Sequence, residues 1–150
     1  MVMIMRETYL SKIRPLIGKD IIKALSGVRG CGKSVLLEQI REEINSPNTI
    51  FLNFEDLGNG PLREYNALHD FVCKRIGDSK EKFYLFFDEI QEVDGRERAV
   101  NSLRVKFQAD IYITGSNSKL LSGELATYIA GRSRKSILRN KIPSKIKATI

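Results

Sequence analysis

Stretches with strand-like and helix-like spacing of hydrophobic residues alternate along the 150-residue chain. Apolar runs predict strands over residues 21–25, 49–54, 83–88 and 110–114. Apolar residues that recur every third or fourth position predict helices over residues 33–44, 62–76, 96–107 and 119–129. This alternation is typical of an α/β protein with a mainly parallel sheet between two layers of helices. The strand over 110–114 is expected to lie beside the strand over 21–25.

Composition and cysteine usage narrow the class of protein. The chain is 42% hydrophobic and 29% charged, which is typical of one soluble globular domain. The apolar run at 84–87 is far too short to cross a bilayer, and the N-terminus lacks the apolar core of a signal peptide. The two cysteines, Cys31 and Cys73, are far apart and have no CxxC partner. We therefore expect a cytoplasmic protein with free thiols and no membrane contact.

Positive charge is concentrated at the C-terminal end. The formal net charge is +7, and residues 132–150 contain seven basic residues and no acidic one. The first 131 residues are therefore neutral overall. A basic tail could contact nucleic acid, although no aromatic side chain interrupts this one to stack on bases.

Residues 27–34, GVRGCGKS, match the pattern G-x-x-x-x-G-K-[ST] between a predicted strand and a predicted helix. Glycines allow the backbone N–H groups to surround a phosphate, and the following helix directs its positive end at the same anion. Lys33 would neutralise the β and γ phosphates, and the hydroxyl of Ser34 would bind Mg²⁺. The predicted nucleotide-binding residues are Gly27, Val28, Arg29, Gly30, Cys31, Gly32, Lys33, Ser34 and Val35. The alternative is a glycine-rich turn without a ligand.

A buried strand at 83–88 ends in two carboxylates, Asp88 and Glu89. Ligands of open α/β sheets bind at the carboxyl ends of the strands, so Asp88 is predicted to hold Mg²⁺. Glu89 would orient and deprotonate the attacking water. The alternative is an ordinary strand end with two solvated acids.

Small polar residues follow the last predicted strand. Asn117 is the favoured sensor of the γ phosphate, with Ser116 as the second choice. The alternative is that these residues turn the chain and cap the next helix.

These motifs together resemble the N-terminal domain of a prokaryotic ATPase family within the AAA superfamily. The resemblance covers residues 8–132, and family members typically continue into a nuclease-like C-terminal domain. It implies that residues 27–34 are the Walker A loop, that Asp88 and Glu89 are the Walker B pair, and that residues 116–118 are the sensor region. It also implies that Arg132 acts as a finger or sensor for the γ phosphate; the alternative is a helix-terminal cation.

Residues 133–150 depart from this family pattern, which would continue with an apolar strand, a turn and a helix. We therefore predict an AAA-type domain over 1–132 and a basic, disordered or non-native tail over 133–150. The hypothesis that follows is a truncated or frame-shifted product without the last strand and lid. Loss of that strand would leave residues 21–25 as an apolar sheet edge.

The leading functional prediction is a P-loop domain that binds ATP and hydrolyses it with Mg²⁺. Adenine is favoured because residues 117–120, NSKL, do not supply a guanine-reading Asn-Lys-x-Asp motif. Two alternatives stay open, a catalytically inactive remnant that binds nucleotide and a nucleic-acid-binding module that uses the basic tail. What hydrolysis drives, and with which protein partner, is not encoded in these motifs.

Overall fold

A computed structural model describes residues 2–19, 22–26 and 32–116 of the chain. Besides short 3₁₀ turns, these ranges contain four α-helices and four strands. The helices are α1 (Val2–Ile13), α2 (Lys33–Ile44), α3 (Tyr65–Ile76) and α4 (Arg96–Phe107). The strands are β1 (Lys23–Ser26), β2 (Thr49–Asn53), β3 (Tyr84–Asp88) and β4 (Asp110–Gly115), and the order along the chain is α1-β1-α2-β2-α3-β3-α4-β4. The predicted α/β class is confirmed.

The four strands form one parallel sheet in the order β1-β4-β3-β2. β4 therefore lies beside β1, as the sequence predicted. Asn53 is in register with Asp88 at the ends of β2 and β3, and Ser26 with Gly115 at the ends of β1 and β4. The carboxyl ends of all four strands thus meet at one edge of the sheet. Within the described ranges, β1 pairs with β4 alone and is an edge strand.

Helices cover both faces of the sheet, because alternate strand residues point to opposite sides. α3 and α4 pack on one face, around Leu85, Phe87 and Ile111. α1 and α2 pack on the other, where the rings of Phe86 and Tyr112 stack with their centroids 4.8 Å apart. The domain core therefore consists of three α/β/α layers, as predicted.

Two helices differ from what the sequence predicts. α1 was not predicted as a helix; it folds as one because Tyr9, Leu10 and Ile13 are buried in the cluster that contains α2. The helix predicted over 62–76 begins only at Tyr65, because the Glu64 side chain caps it by accepting from Ala67 N at 3.0 Å. The preceding residues form a separate 3₁₀ turn, Leu57–Leu62.

The other predicted elements agree to within two residues. α2 and α4 have the predicted bounds, and the strands differ from prediction by one or two residues at their ends. The helix predicted over 119–129 lies outside the described residues, as do the predicted tail over 133–150 and any strand or lid that would follow β4.

α1 is also connected to α2 by exposed charges. The Arg14 guanidinium donates to Glu7 Oε1 and to Glu43 Oε1, each at 2.6 Å. The hydrogen bond from Arg14 lowers the pKa of the Glu43 carboxyl below its usual range. Because these pairs are exposed, they contribute little to the free energy of unfolding.

A buried polar network lies at the opposite end of the sheet from the strand ends described above. Asp110, which begins β4 and is fully buried, accepts hydrogen bonds from Lys23 Nζ, from Gly18 N at 2.8 Å and from Tyr112 Oη at 2.7 Å. Lys23 Nζ also donates to Lys19 O at 2.6 Å. Burial, reinforced by the Asp110 charge, raises the pKa of Tyr112 above its usual range. The network thereby attaches the segment after α1 to both β1 and β4.

We expect Gly95→Ala to lower the free energy of unfolding by roughly 2–4 kcal/mol. Gly95 precedes α4 with φ +72°, and a Cβ there would lie 2.6 Å from Cδ1 of Tyr65. The variant therefore adds a steric overlap to the cost of a left-handed backbone. Gly18→Ala is the matched control, because Gly18 has φ +82° and open space around the added Cβ. Urea unfolding should show a larger loss for Gly95→Ala, and equal losses would contradict the contact with Tyr65.

Candidate functional site

The N-terminus of α2 is positioned by a glycine in a left-handed conformation. Gly32 has φ +89° and ψ +13° and is the N-cap, and its carbonyl accepts from Leu36 N at 3.0 Å. A residue with a Cβ would be strained there, which explains the glycine directly before the helix. The following residue, Lys33, is the first of the helix and is only 4% exposed. Ser34 and Val35 are exposed at the same helix end.

The second part of the site is the end of β3. Asp88 is the last strand residue and is 1% exposed. Its Oδ1 accepts a hydrogen bond from Oγ1 of Thr114 on β4, at 2.5 Å. The same Thr114 oxygen accepts from Glu89 N at 2.9 Å. One buried hydroxyl therefore connects the side chain of Asp88 to the backbone of Glu89.

Glu89 is held at a sharp turn between β3 and the 3₁₀ turn Ile90–Glu92. Its backbone has φ +59° and ψ +52°, a left-handed conformation that costs a non-glycine residue about 1–3 kcal/mol. The side chain is nearly buried. Its Oε1 lies 3.9 Å from Lys33 Nζ, and its Oε2 accepts from Gln91 Nε2 at 2.5 Å. The turn thus directs the carboxylate of Glu89 toward the N-terminus of α2.

An ammonium group and two carboxylates therefore meet at the carboxyl edge of the sheet. Lys33 can neutralise an anion, and Asp88 offers the hard oxygen ligand that Mg²⁺ prefers. Among the described residues there is no group of three or more His, Cys, Asp or Glu side chains that could hold a metal ion by themselves. A site with Asp88 as a protein ligand still fits Mg²⁺, because this ion is commonly bound by one or two protein oxygens together with substrate phosphates and water.

The structure brings together only part of the predicted site. Lys33 and Glu89 are within ion-pair distance, Asp88 precedes Glu89, and Gly32, Ser34 and Val35 lie at the start of α2. Ser116 directly follows β4 and is half-buried. The remaining predicted residues lie outside the described ranges; they are Gly27, Val28, Arg29, Gly30, Cys31, Asn117 and Arg132.

Two residues at the site were not singled out from the sequence. Thr114 lies in a strand whose six residues are all buried, so it resembles an ordinary core β-branched residue. Gln91 follows the two carboxylates and belongs to a short turn. The only sequence signal for Thr114 is its position one residue before the end of the strand predicted to lie beside β1. Nothing in the sequence distinguishes Gln91 from a surface residue.

We expect Thr114→Val to lower the free energy of unfolding by about 1–3 kcal/mol. Valine has nearly the same shape but removes the acceptor of the buried Glu89 N–H and the donor to Asp88. Thr114→Ser is the control because it keeps the hydroxyl and loses only one methyl group, worth about 0.8 kcal/mol. Urea unfolding of both variants measures the difference, and a valine variant as stable as wild type would show that the two hydrogen bonds contribute nothing.

The fold is a three-layer α/β protein with a parallel sheet and charged residues at its carboxyl edge, and this architecture is consistent with the P-loop class. Comparison with protein families matches residues 19–140 to the AAA domain. The chain belongs to this AAA domain family. Membership indicates a nucleotide-binding function of the ATPase type.

Two relatives share this region. An uncharacterized protein of Haemophilus influenzae is 44% identical over 135 residues, which cover 87% of this chain and 34% of the relative. An uncharacterized protein of Methanocaldococcus jannaschii is 40% identical over 136 residues, which cover 84% of this chain and 30% of the relative. The chain spans about a third of the length of these relatives. In the part of the chain that the structure describes, no helix is long and apolar enough to cross a membrane.

Proposed function

We propose that the chain binds ATP with Mg²⁺ and hydrolyses it. The observation that carries the proposal is the meeting of Lys33 and Glu89, 3.9 Å apart, beside Asp88 at the carboxyl edge of the sheet in an AAA domain. Lys33 would bind the β and γ phosphates together with backbone N–H groups of residues 27–32. A nearly buried lysine is suited to this because little water competes with the phosphate for it.

The hydroxyl of Ser34 and the carboxylate of Asp88 would hold Mg²⁺. When bound, the ion would neutralise charge on the phosphate oxygens. The hydrogen bond from Thr114 to Oδ1 would orient the Asp88 carboxylate for this role. Two further roles stay predictions for residues that follow β4. One is the phosphate sensor, Asn117 or Ser116, and the other is the finger, Arg132.

Glu89 would act as the general base. The oxygen of a water molecule forms a bond to the γ phosphorus, the bond from that phosphorus to the leaving oxygen of ADP breaks, and the water proton passes to the Glu89 carboxylate. Lys33 stabilises the negative charge on the phosphate oxygens during this step. Four statements remain predictions from the sequence. They are a cytoplasmic location, the choice of adenine, the domain boundary after Arg132 and nucleic-acid contact through residues 133–150.

The test is ATP-dependent stabilisation of the protein with Mg²⁺, followed by phosphate release from the same samples. At an ATP concentration 100 times the Kd, binding stabilises the folded state by about 2.7 kcal/mol. We expect this stabilisation in the wild type and its loss in Lys33→Ala. Lys74→Ala is the control, because Lys74 is an exposed lysine in the last turn of α3, at the opposite end of the sheet.

The outcomes separate the alternatives. Stabilisation with phosphate release supports the ATPase, and stabilisation without release would favour the inactive nucleotide-binding alternative. A folded wild-type protein that ATP does not stabilise would overturn the proposal. Equal losses in the two lysine variants would show that the effect of Lys33 is not specific to the site.

A further inference from the structure

Gln91 contacts the proposed general base directly. It is the middle residue of the 3₁₀ turn Ile90–Glu92, and its Nε2 donates to Glu89 Oε2 at 2.5 Å. The other oxygen of Glu89 faces Lys33 Nζ at 3.9 Å. The two oxygens of the carboxylate therefore have different neighbours, a neutral amide on one side and a cation on the other.

The second polar atom of the Gln91 amide has no hydrogen-bond partner among the described residues. Oε1 is buried, yet no described group donates a hydrogen bond to it. A buried acceptor without a donor costs free energy, and in native proteins such atoms commonly bind water or serve a function. Because Oε1 and Nε2 belong to one amide, a water that donates to Oε1 would lie close to the carboxylate of Glu89.

We propose that Gln91 is a positioning residue for ATP hydrolysis, which holds the Glu89 carboxylate through Nε2 and a water beside it through Oε1. The inference rests on the proposed function. A general base must point one oxygen at the water it deprotonates, and rotation of the carboxylate about its side-chain bonds would remove that alignment. The amide of Gln91 restricts this rotation without adding a charge that would compete with phosphate or Mg²⁺.

A purely structural role for Gln91 is the competing interpretation. In that case the hydrogen bond to Glu89 would only stabilise the turn, and its removal would change stability without a selective effect on the chemical step. A positioning role instead lowers kcat and leaves KM for ATP nearly unchanged, since Gln91 would not contact the bound nucleotide.

The first experiment compares Gln91→Leu with Gln39→Leu. Gln39 is the matched control because it is also half-buried, also has an unpartnered buried Oε1 among the described residues, and lies along α2 away from Glu89. We expect kcat of Gln91→Leu to fall on the order of 10-fold to 100-fold with KM within about twofold. We expect Gln39→Leu to keep kcat within about twofold of the wild type.

Three outcomes are informative. Wild-type hydrolysis that is lost in Glu89→Gln supports the proposed function independently of Gln91. If Gln91→Leu then retains its kcat, or loses activity through a higher KM alone, the positioning role is overturned while the proposed function stands. If the wild type itself does not hydrolyse ATP, the proposed function fails and the positioning role fails with it.

A second measurement does not depend on activity or on the fold of a Gln91 variant. The side-chain amide signals of the three glutamines, Gln39, Gln91 and Gln108, can be assigned in the wild-type protein by triple-resonance spectra. We expect Glu89→Ala to shift the Gln91 amide signal and to leave that of Gln39 in place, because only the former donates to a carboxylate. An unchanged Gln91 signal would overturn the inference.

Discussion

Glu89→Gln is expected to lower kcat for ATP hydrolysis by about 10²–10⁴-fold while ATP with Mg²⁺ still stabilises the protein. Glutamine keeps the size of the side chain and an oxygen that can accept from Gln91, but its amide cannot take a proton from water. The phosphate contacts proposed for Lys33 and the metal contact proposed for Asp88 are left intact. Binding and chemistry should therefore separate in this variant.

The matched control is Glu92→Gln. Glu92 lies in the same 3₁₀ turn, three residues after Glu89, and undergoes the same change from carboxylate to amide. Because no hydrogen bond or ion pair in the described part of the chain joins the Glu92 side chain to Asp88 or Glu89, kcat should stay within about twofold of the wild type. Measurement of phosphate release at saturating ATP, with thermal stabilisation on the same samples, gives both quantities.

Two results would contradict the assignment of Glu89. Hydrolysis at the wild-type rate in Glu89→Gln would show that another group activates the water. Loss of both hydrolysis and ATP-dependent stabilisation would show that Glu89 supports the folded site or nucleotide binding, and not only the chemical step.

The regular elements of the sheet and helices could be predicted largely from local sequence. α2 and α4 each begin after a glycine in a left-handed conformation, Gly32 and Gly95, and each ends at a left-handed residue. These boundaries are set by residues next to the helix, so the sequence contains them. α1 was missed because its burial depends on packing beside α2, which is separated from it in the chain.

The residues of the candidate site also fall into two groups, those predictable from local sequence and those that depend on tertiary contacts. Lys33 could be predicted because the motif at residues 27–34 specifies a lysine at that position. Asp88 and Glu89 could be predicted because they end a buried strand, and the carboxyl ends of parallel strands share one edge. Thr114 and Gln91 have side chains with ordinary structural uses, and their partners are determined by strand order and by the left-handed turn at Glu89. The burial of Lys23 could not be predicted either. A lysine within the apolar residues 21–25 gives no sign that it is fully buried beside Asp110.

Asp110→Ala is expected to cost about 3–5 kcal/mol of unfolding free energy, because it leaves the buried ammonium of Lys23 without its carboxylate. Both side chains are fully buried, so water cannot replace the missing partner without opening the sheet. The variant also removes the acceptor for Gly18 N and Tyr112 Oη. Asp70→Ala, at an exposed position on α3, is the control and should change stability by no more than about 0.5 kcal/mol.

A double variant separates the buried charge from the lost hydrogen bonds. Lys23→Met combined with Asp110→Ala replaces the ammonium by an apolar group of similar length, while the acceptor for Gly18 N and Tyr112 Oη stays absent as in Asp110→Ala alone. Because the two substitutions remove both charges together, the double variant should be more stable than Asp110→Ala in urea unfolding. If it is equally unstable, the hydrogen bonds made by the Asp110 carboxylate dominate over the ion pair. If Asp110→Ala costs no more than Asp70→Ala, the buried pair does not stabilise the fold.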